Sequence, residues 1–183
     1  MEGVTFGHDP SLRRGVRGNP EAVSPRAIHP VAAGALAATV WGALEPLDQR
    51  FFRCHYSDVA ILGKAVTRRR GWPAAGFALH AVNGALFGLA YGALRRRVPV
   101  EPKRLALAMA LVEHVGLYPL AYFVDRFHPA RGERGVPPLL TNGRAFAQAT
   151  VRHALFGLVL GLLTEGESAE SRGGSRRRRR RRA

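Results

Sequence analysis

The chain is 183 residues long, with 28 Lys and Arg against 13 Asp and Glu, a formal net charge of +15. That length makes one compact unit the expectation, and the single cysteine, Cys54, excludes an internal disulfide. The mean hydropathy of −0.09 would suit a soluble protein, but the charges are gathered in blocks, at Arg13–Arg17, Arg68–Arg70, Arg95–Arg97, Lys103–Arg104 and Arg176–Arg182, with nearly uncharged stretches between them. Apolar spans alternating with wet loops produce that pattern.

Residues 1–27 mix Pro, Gly and charge without an apolar run, which predicts a disordered arm and no cleavable signal peptide. Four apolar spans follow. The first, Pro30–Leu47, has a proline suited to a helix start and Trp41 and Pro46 suited to an interface end. Ser57–Thr67 predicts a short interfacial helix capped by Ser57, with Ile61, Leu62, Ala65 and Val66 on its apolar face. The second span, Trp72–Leu94, carries no formal charge. The third, Leu105–Val124, is interrupted by Glu113 and His114, and the fourth, Ala145–Leu163, by Arg152 and His153. Arg131–Leu140 reads as a Gly/Pro loop, and Gly166–Ser175 as a polar linker to seven terminal arginines. Each span approaches the ~20 residues needed to cross hydrocarbon.

Two stretches nearly repeat. Ala85–Leu94 (ALFGLAYGAL) and Ala154–Leu163 (ALFGLVLGLL) align at one offset, with Phe77 on Phe146 and Phe87 on Phe156. Spans one and three both end in Pro-Leu, at Pro46-Leu47 and Pro119-Leu120. The fold class these features predict is all-α: an integral membrane four-helix bundle built as a tandem duplication of a two-span hairpin, with disordered termini. Glycines recur at helical spacing as Gly84, Gly88 and Gly92 on span two and Gly157 and Gly161 on span four, while Gly34 and Gly42 flank Ala38 on span one. In lipid such stripes let helices pack closely, so they are expected to face the bundle interior.

His80, Asn83, Glu113, His114, Arg152 and His153 fall within the spans as a buried polar cluster. A charged group at mid-membrane costs about 2.5–3.5 kcal/mol on insertion scales, so it is expected to pair. Counting depth along the helices pairs Glu113 with Arg152 and leaves Glu45, Asp48 and Asp125 as an acidic rim that would attract cations. The spans lack an obvious mid-span break of the kind transporter sites often show.

Several functions share these residues. The cluster is interhelical glue, or a proton or small-ion path, for which four helices would need a homo-oligomer. His80 and His153, at like depth on glycine-striped helices, are alternative ligands for a haem. Arg176–Arg182 would bind anionic lipid headgroups, making the protein a membrane scaffold. Nucleic acid is the less expected partner, since no aromatic residues are interleaved to stack bases. No G-x-S-x-G, H-E-x-x-H or phosphate-cradling loop occurs, and nothing points to a metal site or an enzyme. In layout the chain is similar to small four-span bacterial inner-membrane proteins, which implies that location and no residue roles. Lys and Arg number 17 on the side holding both termini against 10 on the other, predicting cytoplasmic termini, and without the eight of the tail the sides tie.

Overall fold

The computed structural model describes the backbone of residues 28–180 and the side chains of residues 28–165. The expected N-terminal arm lies outside these residues, and the side chains of the linker and arginine tail lie outside them too. Every regular element described is helical: α1 (Pro30–Phe52), α2 (Asp58–Val66), α3 (Trp72–Arg95), α4 (Pro102–Leu117), a single 3-10 turn (Tyr118–Leu120), α5 (Ala121–Phe127) and α6 (Gly143–Arg180). Three segments are long and apolar enough to cross a membrane: Trp72–Arg95, Pro102–Phe127 and Gly143–Glu165. In the most apolar stretch of Pro102–Phe127 only 11% of the residues are buried within the protein. Leaving that much apolar surface uncovered is costly in water and costless in lipid, so these helices suit a membrane protein.

The helix boundaries follow local chemistry. Pro30 starts α1, where its missing N–H is not needed. The helix runs five residues beyond the expected end and stops at Arg53, whose left-handed backbone (φ 50°) turns the chain back. Glu101 caps α4, its carboxylate accepting from the Lys103 and Arg104 N–H groups at 3.0 and 2.9 Å. The third span is interrupted near its end and not at its middle. Pro119 has no N–H for the helical ladder, and the chain passes through the 3-10 turn between α4 and α5.

Glycine and alanine set the packing. α1 lies along α3, with Gly34 against Gly84 and Gly88 against Pro30, while Gly42 meets Phe77 and Val59. α4 lies along α6, with Gly157 against Ala106 and Gly161 against Lys103. α1 and α6 join the two pairs, whereas α3 and α4 scarcely touch. On the outer side of α1, Leu36, Val40, Leu44, Leu47 and Phe51 form an exposed stripe at helical spacing.

α2 also has a buried face. Val59, Ala60 and Gly63 are buried against α3, at Trp72 and Gly76, while Ala65 and Val66 are exposed. The Arg131–Leu140 loop folds beneath α2, with Ala130 and Val136 packed on Ala60. Gly135 there has φ 92° and lies where a Cβ would strike Ala60, so both backbone conformation and space demand glycine.

One end of the bundle is sealed. Ala33, Phe87, Tyr91, Leu105, Ala106, Ala110 and Leu160 form one buried cluster. Beside it the Tyr91 hydroxyl lies 3.2 Å from the Thr164 hydroxyl.

A Cβ on Gly34 would overlap the Gly84 carbonyl, whereas one on Gly116 would meet open space. Gly34→Ala is therefore expected to lower the melting temperature in detergent, overpacking costing about 1–3 kcal/mol. Gly116→Ala is expected to hold or raise it. Equal melting temperatures would show that α1 and α3 do not pack in this way.

Candidate functional site

Near the unsealed end, α6 carries Arg152 into the protein interior with its side chain 2% exposed. A guanidinium has five N–H donors in a fixed plane, and each is used. Nε and one terminal nitrogen donate to the two oxygens of Asp48, at 2.5 and 2.7 Å. That same nitrogen reaches the Tyr56 carbonyl at 3.1 Å. The other donates to Asp58 at 2.8 Å and Glu45 at 3.3 Å. The guanidinium also lies 4.7 Å from the centre of the Tyr56 ring, a cation–π arrangement.

The acceptors are placed by three elements. Glu45 and Asp48 stand one turn apart on the inner face of α1. The left-handed turn at Arg53 returns the chain so that the Tyr56 carbonyl points at α6. Asp58 opens α2, and the N-terminus of that helix serves Glu45, which accepts from the Asp58 and Val59 N–H groups at 2.8 and 3.2 Å and from the Ser57 hydroxyl. Gln148, one turn before Arg152 on α6 and fully buried, adds a 2.7 Å bond to Asp48.

Burial pushes the Asp58 carboxyl up, but Arg152, His80 and the Tyr56 hydroxyl outweigh it and hold the group below its ordinary value. Burial, and Asp58 after it, pushes the Tyr56 hydroxyl well above its usual value, so it remains the donor in its bond to Asp58.

This arrangement replaces the Glu113–Arg152 pair that depth counting predicts. Glu113 makes no hydrogen bond or ion pair among the described residues. The acidic rim is not formed either: Glu45 and Asp48 are turned inward onto Arg152, and Asp125 accepts from the Leu139 and Leu140 N–H groups at 2.8 and 2.9 Å. The cause is a boundary. With α1 ending at Phe52, Glu45 and Asp48 lie seven and four residues inside it, level with Arg152. The sequence does hold a signal for this, since two acids at i, i+3 on one helix face ask for a cation. Asp58 and Gln148 have weaker signals, a position just after a helix cap and one turn from an arginine.

Beside the Arg152 network lies a cavity of about 350 Å³ where α3 and α4 diverge. His80, Asn83, Glu113, His114, Arg152 and His153 all line it, Asn83 being exposed. His114 and His153 stack with ring centres 4.7 Å apart. The Thr150 hydroxyl donates to the Phe146 carbonyl at 2.8 Å, so its oxygen accepts from His114 Nε2–H at 2.9 Å. His153 Nδ1–H donates to the Ala149 carbonyl at 2.8 Å, which turns the other ring nitrogen into an acceptor when the ring is neutral. The buried His80 Nε2 and Trp41 Nε1 atoms have no hydrogen-bond partner, and both residues line the cavity. Native interiors rarely leave such atoms unpaired, and an ordered water or ion is a common partner when no protein group serves.

Comparison with known proteins finds no matching family model, curated protein or solved structure.

Arg152→Lys keeps the charge but supplies three donors in place of five. It is expected to lower stability in detergent by about 1–3 kcal/mol for each acceptor left unpaired, while Glu113→Gln does not lower the melting temperature. A Lys variant as stable as the parent would contradict the network.

Proposed function

We propose that this is an integral membrane protein whose four long helices enclose a ligand-binding cavity reached between α3 and α4. The cavity carries the reading: about 350 Å³ of space is lined by His80, Glu113, His114 and His153, while every donor of the adjacent Arg152 is taken. On this reading α1 is the fourth span, its exposed Leu36–Phe51 stripe facing lipid. The cluster of intramembrane polar residues then divides in two. Arg152 with its carboxylates is structural, and the histidines with Glu113 belong to the ligand. The sealed end around Tyr91 and Leu160 speaks against a path through the bundle. A bis-histidine haem would use the same cavity between His80 and His153 and would declare itself by a Soret band in the purified protein.

The tandem duplication accounts for the cavity. Gly92 meets Pro30 as Gly161 meets Lys103, and the two offsets that superpose the repeats relate both contacts. In one half-crossing α6 binds α1 through Arg152 to Glu45 and Asp48. The equivalent crossing, α3 to α4, has Asn83 where Arg152 stands and Tyr118 and Ala121 where the acids stand. These three line the cavity. The repeat is closed by a charge network on one side and left open on the other. The N- and C-termini are placed in the cytoplasm of a bacterial-type cell, with Arg176–Arg182 against anionic headgroups.

A thiol scan tests the cavity. In a Cys54→Ser background within membranes that resist carbonate extraction, His80→Cys is expected to react with a small uncharged maleimide. Ala106→Cys, within the sealed cluster, is expected to be protected. Equal protection at both positions would remove the cavity, and release by carbonate would remove the membrane assignment.

A further inference from the structure

We infer that the cavity's ligand is a lipophilic organic cation, an ammonium or phosphonium on an apolar body, with Glu113 as its counter-charge; this rests on the cavity reading above. The charge pattern points to it first. Although the chain is strongly basic overall, the cavity lining has two carboxylates, Asp58 and Glu113, against one arginine. Three carboxylates share the single Arg152 guanidinium. Glu113, also on the cavity wall, has no hydrogen bond or ion pair among the described residues. A carboxylate within an apolar span and without a cationic partner is costly, and a cationic guest removes that cost.

The remaining wall suits the body of such a guest. Trp41, Tyr56, Phe87, Tyr118 and Phe156 line the cavity, and aromatic rings attract onium groups once water is excluded. Tyr56 already holds the Arg152 guanidinium in this way. The histidine tautomers agree with the same sign of charge. Because His153 donates through Nδ1 to Ala149, its Nε2 is an acceptor while the ring is neutral, so a guest N–H has a partner there beside the carboxylate. An anionic guest would meet Glu113, and Arg152 has no N–H left to give it. The gap between α3 and α4 is an entry that a membrane-dissolved molecule can reach without crossing a polar headgroup layer twice.

Tetraphenylphosphonium and tetraphenylborate share one shape and differ in sign, so they separate charge recognition from simple partition. In detergent solution the whole protein is expected to bind tetraphenylphosphonium saturably and at least tenfold more tightly than tetraphenylborate. Glu113→Gln is expected to lose at least tenfold for the cation without a fall in melting temperature, and Glu113→Asp to recover part of it. Equal binding of the two ions, preference for the borate, or cation binding indifferent to Glu113→Gln would each overturn the inference. If His80→Cys is labelled and neither ion binds, the cation inference falls and the cavity stands. If His80→Cys is protected, the cavity reading itself has failed.

Discussion

A permanent positive charge has to be accommodated inside this protein, and much of the architecture at one end follows from how that is done. Arg152 cannot shed its proton, and an isolated guanidinium in an apolar interior is prohibitive. The answer is full occupancy: five donors meet Glu45, Asp48, Asp58 and the Tyr56 carbonyl. Those acceptors come from α1, from the turn after it and from the start of α2. The network thus draws three separate segments onto α6. Removing one partner of such a set costs about 3–5 kcal/mol, because the uncompensated charge stays behind. The net worth of the intact network relative to apolar packing is smaller, and its larger effect is to specify which elements meet.

Small residues do the complementary work. Gly34 on Gly84 and Gly157 on Ala106 bring the backbones of each helix pair together, so dispersion replaces the hydrophobic drive that lipid does not provide. Packing of this kind closes the end near Tyr91. At the other end α1 and α6 are joined by charge, and the counterpart crossing between α3 and α4 has no charge to join it. A cavity lined by His80, Glu113, His114 and His153 lies there. In the proposed duplication arginine stands against asparagine at this matched position, which relates the part that holds the fold to the part proposed to receive a ligand.

Much of the helical layout was legible in the sequence because apolar runs and prolines act locally. Trp72–Leu94 and Trp72–Arg95 differ by one residue at the end, and Ser57 caps α2 as its hydroxyl chemistry predicts. The gathering of His80, Glu113, His114, Arg152 and His153 on one cavity wall follows from their shared depth. The partner of Arg152 was not legible, since it turns on where α1 ends. Charged Asp48 and Arg50 mark a boundary by hydropathy, yet Asp48 is neutralised across the bundle and the helix continues. The buried face of α2 was missed for a related reason. Gly63 and Ala60 look unremarkable as apolar residues, but their small size lets α2 settle onto α3, leaving Val66 outside. Neither fact is contained in any single segment.

The central claim is that Arg152 is satisfied by α1 and not by α4. A double-mutant cycle on thermal unfolding in detergent, pairing Arg152→Met with Asp48→Leu and separately with Glu113→Leu, tests it most directly. The account predicts a coupling of about 2–3 kcal/mol between Arg152 and Asp48, within the range for residues in one ion network, and none between Arg152 and Glu113. Coupling to Glu113 with none to Asp48 would contradict it.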